Sequence, residues 1–400
     1  MDVEDVRRDF KILRRNPIYL DNAATSLTPN QVVDAVNEYY FTYNANVERG
    51  VHHLSQRASE AYERVHHQVA AFFGAQDQEI IFTRNATESL NLVARGLAWR
   101  PGDKVVLSLL EHHSNFITWL RAKEKHGLEL EIVRPNHEGL FDLSDFERAV
   151  DKRTRLVSIV HVSNVLGSVS PVMEIGAIAH AAGALVMVDA AQSAPHLALD
   201  VRAIDCDFMA CSGHKMLGPT GTGVLYIKSE VMDRVEPLAI GGGTIQDVCI
   251  DGYQLTSPWE RYEPGTPNIA GVIGLGAAVE YLQCTGMQNI RQHEEALTRQ
   301  LLQGLSRLQD VEVYGPQDIE QRSSVVSFNV GRLSPHRVAA MLDEMAGIMV
   351  RSGHHCCYPL IKYLLERPRG TVRASLYLYN TAQEIEALLA TLERILTMFD

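Results

Sequence analysis

No block of like charges runs through this 400-residue chain, and its balance of 37 basic against 49 acidic side chains leaves a net charge of −12. Nucleic acids and anionic membrane surfaces are therefore poor partners, because both are bound through basic patches. Long apolar runs are missing too. The uncharged apolar run Ile175–Val188 has 14 residues and includes Gly176, His180 and Gly183, too short to span a bilayer. The N-terminus carries Asp2, Glu4, Asp5, Arg7, Arg8 and Asp9, with no apolar stretch for a secretory signal, so a cytoplasmic location is expected. Only six cysteines occur, none as Cys-x-x-Cys. A chain this large needs no disulfide framework, so reduced thiols are expected, one or two of them free for chemistry. No repeat, low-complexity tract or Pro/Ser-rich linker appears. An apolar fraction of 46% with 22% charged residues is that of a soluble globular protein of two or three domains.

What is present centres on Cys211-Ser212-Gly213-His214-Lys215. Lys215 follows one apolar strand and precedes another, Gly223–Ile227, while Asp189 ends the run Ala184–Val188. Either residue alone reads as a loop lysine or a strand-end cap. Together they suit pyridoxal phosphate, with lysine as Schiff base and aspartate keeping the pyridinium nitrogen protonated. Ser212 and His214 stand close by as phosphate ligands.

Strands alternate with helices over the first two thirds: 79–83, 104–109, 128–134, 156–162, 184–188 and 207–211 are read as strands, with helices at 88–97, 116–126 and 171–182 between them. This pattern predicts a mostly parallel sheet covered on both faces, an α/β architecture. Thr87, His112, Asn164, Asp189 and Gln192 each follow a strand, the position where such sheets bind ligands. The turn Arg84–Thr87 suits either a phosphate on free helix N–H groups or an ordinary N-cap. Ahead of this region, residues 1–16 read as a polar helix, 18–25 as a strand and turn, Pro29 to Tyr43 as a helix, 49–55 as a loop, and 59–73 as a helix. Beyond Lys228 the stretches around Gly241–Gly243 and Glu263–Asn268 read as long loops. A helix at 270–282 and another from about 288 lead to strands near 311–314, 324–330 and 348–351, with helices at 335–346 and from 382. The predicted organisation is an N-terminal segment, 1–16, packed on a small domain; a large domain, 17–285; and a small α+β C-terminal domain, 286–400.

The second chemical centre is Arg351-Ser352-Gly353-His354-His355-Cys356-Cys357-Tyr358-Pro359. Four adjacent ligand-type residues cannot wrap around one tetrahedral ion, so no metal is expected. A cysteine beside histidines and arginines is instead placed to react as a thiolate. Adjacent side chains in an extended loop point opposite ways, so one sulfur, Cys356, is expected to face the substrate and Cys357 to pack.

Glu111-His112-His113, His161–Gly167, Val188–Gln192, Ser212–Lys215, Glu263–Asn268, Arg351–Cys356 and Arg373–Asn380, in this order, resemble the motifs of the pyridoxal-phosphate-dependent cysteine desulfurases of the class V aminotransferase family. The Gly-His-His-Cys loop with Pro359 is similar to the SUF-type, group II branch. The resemblance covers nearly the whole chain. It implies the fold type I architecture, a homodimer with sites at the subunit interface, and L-cysteine as substrate, with sulfur passing to a SUF-type acceptor protein for iron–sulfur cluster assembly. On the same resemblance Lys215 carries the cofactor, Asp189 and Gln192 contact its pyridine nitrogen and phenolic oxygen, and His112 stacks on the ring. Thr87, Ser212 and His214 take the phosphate, with Thr266 arriving from the other subunit. Asn164 and Arg373 bind the substrate carboxylate, and Cys356 accepts sulfur. His112 doubles as a proton carrier, because imidazole ordinarily titrates near neutrality. Ala86 and Cys357 depart from the motifs. The competing readings are a selenocysteine lyase using L-selenocysteine, a class V aminotransferase using Lys215 without Cys356, and a non-enzymatic sulfur- or metal-binding scaffold.

Overall fold

The computed structural model describes residues 1–48, 50–256 and 259–399. Its centre is a seven-stranded sheet formed by β1 (Ile80–Thr83), β2 (Lys104–Ser108), β3 (Glu129–Val133), β4 (Thr154–Val160), β5 (Leu185–Asp189), β6 (Phe208–Ser212) and β7 (Gly223–Ile227), in the order β1-β7-β6-β5-β4-β2-β3. The five strands from β6 to β3 are parallel, whereas β7 runs antiparallel to both β6 and β1. The central strands are apolar on both sides because helices cover both sides, whereas edge strand β3 alternates, with Glu129 and Glu131 exposed. In β5, Val186 and Val188 join one buried cluster while Leu185 and Met187 join the other. Such strands read as continuous apolar runs, and only their ends are free to be polar.

The C-terminal part is built on a four-stranded antiparallel sheet of β8 (Val311–Tyr314), β9 (Val325–Val330), β10 (Arg351–Gly353) and β11 (Thr371–Ser375), ordered β8-β9-β11-β10. Helices Met287–Leu305, Pro335–Ala346 and Ala382–Thr397 supply leucines and isoleucines to its own apolar cluster. The N-terminal helix Val3–Arg8 and turn Lys11–Arg15 touch both parts. Arg7 donates to Tyr379 O at 2.6 Å and pairs with Glu384 at 2.8 Å, while buried Phe10 packs on Tyr281 and Tyr379.

Several elements differ from the sequence expectation. The helix expected from residue 59 starts at His53, and the His52 ring accepts from Ser55 N–H at 3.3 Å as its cap. Of the loop expected at 49–55, Arg49 lies outside the described residues. The strand expected over 348–351 is two strands: Ile348–Met349 pairs with Ile18–Tyr19, and the chain then enters the small sheet at Arg351. A hairpin, Ile245–Cys249 with Gly252–Leu255, lies between the two expected loops, where no element is expected. Its residues are almost all exposed, so it carries no apolar alternation to announce it. Strand β11, which holds Arg373, escaped the sequence reading, as did helix Leu143–Ala149.

Candidate active site

One cavity of about 270 Å³ opens where the ends of the large sheet meet the small sheet. Lys215, Asp189, Gln192, His112, Thr87, Ser212, His214, Asn164, Arg373 and Cys356 all line it. Thr266 does not. It is exposed beside a separate cavity of about 370 Å³ shared with Tyr62, Phe82 and Asn268, so this chain alone does not bring it to the site.

The floor comes from the strand ends. Asp189, the last residue of β5, is buried and accepts from Ala191 N–H at 3.0 Å. Burial raises its pKa from the ordinary value, and the Lys215 charge works against that rise. Lys215 ends the single 3-10 turn Gly213–Lys215 that follows β6. Burial lowers its amine to about 8, against the pull of Asp189. The turn is tight because a Cβ on Gly213 would lie 2.2 Å from Thr222 Oγ1. On β7, a Cβ on Gly223 would lie 2.6 Å from Asn85 Cα. Bare glycine there lets the start of helix Ala86–Gly96 sit close to the sheet, where Ala86 N–H donates to Ser212 Oγ at 2.9 Å and Thr87 Oγ1 meets Ser114 Oγ at 2.7 Å. Hydroxyls at a helix N-terminus form a setting for a phosphate.

His112 caps helix His113–His126, its Nδ1 accepting from Ser114 N–H at 3.1 Å, which puts the ring proton on Nε2. Burial and then the Lys215 charge push its pKa down to about 3. The near-neutral titration expected of it does not hold in this buried setting, and the ring is neutral near pH 7. Behind it, fully buried Glu111 accepts from Ser108 Oγ at 2.6 Å, Asn115 Nδ2 at 2.6 Å and Val160 N–H at 3.0 Å, tying the end of β2 to β4.

The opposite wall belongs to the small sheet. Arg373 on β11 is 2% exposed and donates to Asp21 at 2.8 Å and to Asn164 O at 3.1 Å, and its Nε has no partner among the described residues. Arg351 on β10 also lines the cavity, 3.7 Å from Asp21. Sequence reasoning gave Arg351 no role of its own, and its place in the Arg-Ser-Gly-His-His-Cys stretch was the only signal. Asn164 Nδ2 donates to His355 O at 2.7 Å, so this residue holds the cysteine loop, and its Oδ1 has no partner among the described residues. Cys356 is exposed while Cys357 is buried, with its thiol 3.2 Å from Glu111 O. The cause is not the alternation of an extended loop: His355 and Cys356 are both left-handed, with φ of 52° and 56°. The four ligand-type side chains diverge, His354 going to Pro368 O and His355 to Thr371.

Gln192 Oε1, Asn164 Oδ1, His355 Nδ1 and Arg373 Nε are buried without a partner among the described residues, around a cavity that also holds an amine, a carboxylate and a hydroxyl-rich helix start. Buried polar atoms are rarely left unsatisfied without a ligand in view. This donor set fits pyridoxal phosphate: an amine for the aldehyde, a carboxylate for a protonated ring nitrogen, and hydroxyls for the phosphate.

Residues 18–388 match the family described as aminotransferase class-V. The chain belongs to that family, an α/β class of pyridoxal-phosphate enzymes. It is 48% identical over 401 residues to a probable cysteine desulfurase of Methanothermobacter thermautotrophicus, covering 100% of this chain and 99% of the relative. It is 49% identical over 395 residues to one of Pyrococcus abyssi, covering 98% and 97%. The apo structure of a cysteine desulfurase from Thermococcus onnurineus superposes with a TM-score of 0.95 at 50% identity, covering 99% of this chain and 98% of that one. The cysteine desulfurase CsdA of Escherichia coli superposes at 0.92 with 34% identity, covering 100% and 99%. Within the family, this chain is one of the cysteine desulfurases.

Proposed function

We propose that the chain converts L-cysteine to L-alanine and leaves the sulfur as a persulfide on Cys356. The observation that carries this reading is the exposed Cys356 thiol lining the same cavity as Lys215 and Asp189. Pyridoxal phosphate, when bound, supplies the electron sink that makes a substrate Cα–H acidic. Lys215 would hold it by its aldehyde, Asp189 by its ring nitrogen, Gln192 and His112 by the ring, and Thr87, Ser212 and His214 by the phosphate. Lys215 Nζ, with a pKa of about 8, is matched to taking and returning the Cα proton near neutral pH. Arg373 and Asn164, with Arg351 at the rim, orient the substrate carboxylate, and His112 Nε2 exchanges a proton on the cavity side. In the transfer, the Cys356 thiolate attacks the substrate sulfur. An S–S bond forms, the C–S bond breaks, and its electron pair stays on carbon, which takes up a proton to become the methyl group of alanine. A protein thiol as acceptor divides one hard step into two.

Further parts of the reading are a homodimer in which Thr266 completes the partner's phosphate site, a SUF-type acceptor protein that takes the sulfur towards iron–sulfur assembly, and a cytoplasmic location. Residues 17–285 and 286–400 act as two domains, and residues 1–16, expected on the smaller one, pack against both. Thr266 standing exposed outside the cavity of its own chain supports the dimer. The short loop between β10 and helix Tyr358–Tyr363 supports the SUF-type reading. The test is product analysis of the cofactor-loaded enzyme with L-cysteine and a reductant. Equimolar alanine and sulfide are expected, whereas a keto acid without sulfide would overturn the reading in favour of transamination.

A further inference from the structure

His112 and His113 stand side by side at the start of helix His113–His126 and serve different walls. His112 lines the cavity. His113 meets the cysteine loop and holds it twice. Its backbone N–H donates to Cys356 O at 2.7 Å, and its ring Nε2 accepts from Tyr358 N–H at 3.0 Å. The two bonds bracket the pair Cys356–Cys357. Tyr358 opens the short helix Tyr358–Tyr363, and the capping residue Cys357 makes no side-chain cap bond. First-turn N–H groups need an acceptor from elsewhere when the local cap gives none, and here it comes from a residue 245 positions away. Just ahead, His355 and Cys356 hold left-handed backbone, which non-glycine residues keep only when their surroundings over-determine it. A ring nitrogen that accepts must be unprotonated. Burial and the neighbouring His354 lower the His113 pKa from its ordinary value, which keeps the ring in that form.

We propose that His113 is a positioning residue for sulfur transfer, clamping the loop on either side of the thiol so that Cys356 stands at a fixed offset from His112 and the cofactor cavity. The proposal rests on the reading of Cys356 as sulfur acceptor. His113 acts through the loop, and the step it serves is formation of the S–S bond as the substrate C–S bond breaks.

The experiment uses full-length, cofactor-loaded enzyme and a single turnover of L-cysteine, followed by stopped-flow absorbance and by mass spectrometry of the Cys356 peptide. His113→Leu removes the ring acceptor, while His113→Gln returns an acceptor oxygen on a side chain of similar reach. Both variants are expected to show the wild-type absorbance change on cysteine binding. Because misplacement of about 1 Å can cost a hundredfold, persulfide on Cys356 is expected at least about tenfold more slowly in His113→Leu and within about threefold of wild type in His113→Gln. Persulfide at the wild-type rate in His113→Leu overturns the proposal. So does a parallel fall of the absorbance change and persulfide formation, which a general structural role would give. If the leucine variant loses its cofactor, His113→Lys, a donor without an acceptor, decides by the same criteria. Failure of the acceptor reading shows separately, as wild-type sulfide release by Cys356→Ser.

Discussion

Asp189 and Ser212 end neighbouring strands of the seven-stranded sheet, and Lys215 follows within one turn, whereas Cys356 sits on a loop with two successive left-handed residues. The floor of the cavity inherits its geometry from a sheet whose central strands are apolar on both faces, and Asp189, Ser212 and Lys215 all keep negative φ. The cysteine wall is assembled against local preference. Two left-handed non-glycine residues cost together about 2–4 kcal/mol. The bonds from Asn164 to His355 O, from His113 to Cys356 O, from Tyr358 to the His113 ring and between His355 and Thr371 offset this at about 1 kcal/mol each. These four bonds together, about 4 kcal/mol, meet the upper end of that cost, so the loss of one clamp should be felt at the sulfur before it is felt in the fold.

The largest effect expected is on the floor. Lys215→Ala removes the amine that joins the cofactor, so both the visible absorbance of the bound cofactor and turnover of cysteine should vanish. Retained turnover would break the distinction between a chemical floor and a sulfur-accepting rim. Cys356→Ser should do the reverse, keeping the cofactor absorbance and the response to cysteine while sulfide release falls roughly a hundredfold or more, as when other nucleophiles are removed. Normal sulfide release in that variant would show that the rim takes no part.

These contrasts also mark what the sequence made legible. Asp189, Lys215 and Ser212 could be found because strand ends are visible as the point where an apolar run turns polar. Cys356 could be found from its neighbours in the chain. The clamps could not, because a bond from His113 to Tyr358 spans 245 positions and leaves no local pattern in either stretch. The hairpin Ile245–Leu255 was missed because an exposed ribbon has no buried side to alternate against. The state of His112 was misjudged for a related reason. Its pKa is set by depth and by the Lys215 charge, and neither is written in the residues next to it.

A moderate effect is expected from pH. Burial lowers the Lys215 amine from its ordinary value to about 8, and only the neutral amine attacks an aldehyde. Uptake of pyridoxal phosphate by the apoenzyme should therefore rise roughly tenfold per pH unit below about 8 and level off above it. Mixing the cofactor with apoenzyme across pH 6–10, approximately, and following the absorbance reads this directly. A profile still rising at the pH of an ordinary lysine would mean that the floor is wetter than its burial indicates. The same series on Cys356→Ser should level off at slightly lower pH, since Cys356 contributes a small upward pull on the Lys215 amine.

The smallest effect is expected at the residue beside the sulfur acceptor. Cys357 is fully buried, packed with Val160, Leu360 and Ile361 in one apolar cluster, with its thiol facing Leu110 O at 3.4 Å and Glu111 O at 3.2 Å. Burial, and then the Glu111 carboxyl, raise its pKa far above the ordinary thiol value, so it stays protonated, and a protonated thiol is a poor nucleophile. It faces away from the cavity because the left-handed turn at His355 and Cys356 sends the two sulfurs to different sides. Its part is to seat the base of the loop. Cys357→Ser keeps a hydroxyl that can donate to the same carbonyls, so persulfide on Cys356 and sulfide release should stay within about threefold of wild type, and stability should fall by only about 1 kcal/mol. Mass spectrometry of the two thiols after one turnover separates the roles. If Cys356→Ser accumulated persulfide on Cys357 at the wild-type rate, the buried sulfur would have to reach the cavity, and the contrast between the two cysteines would collapse.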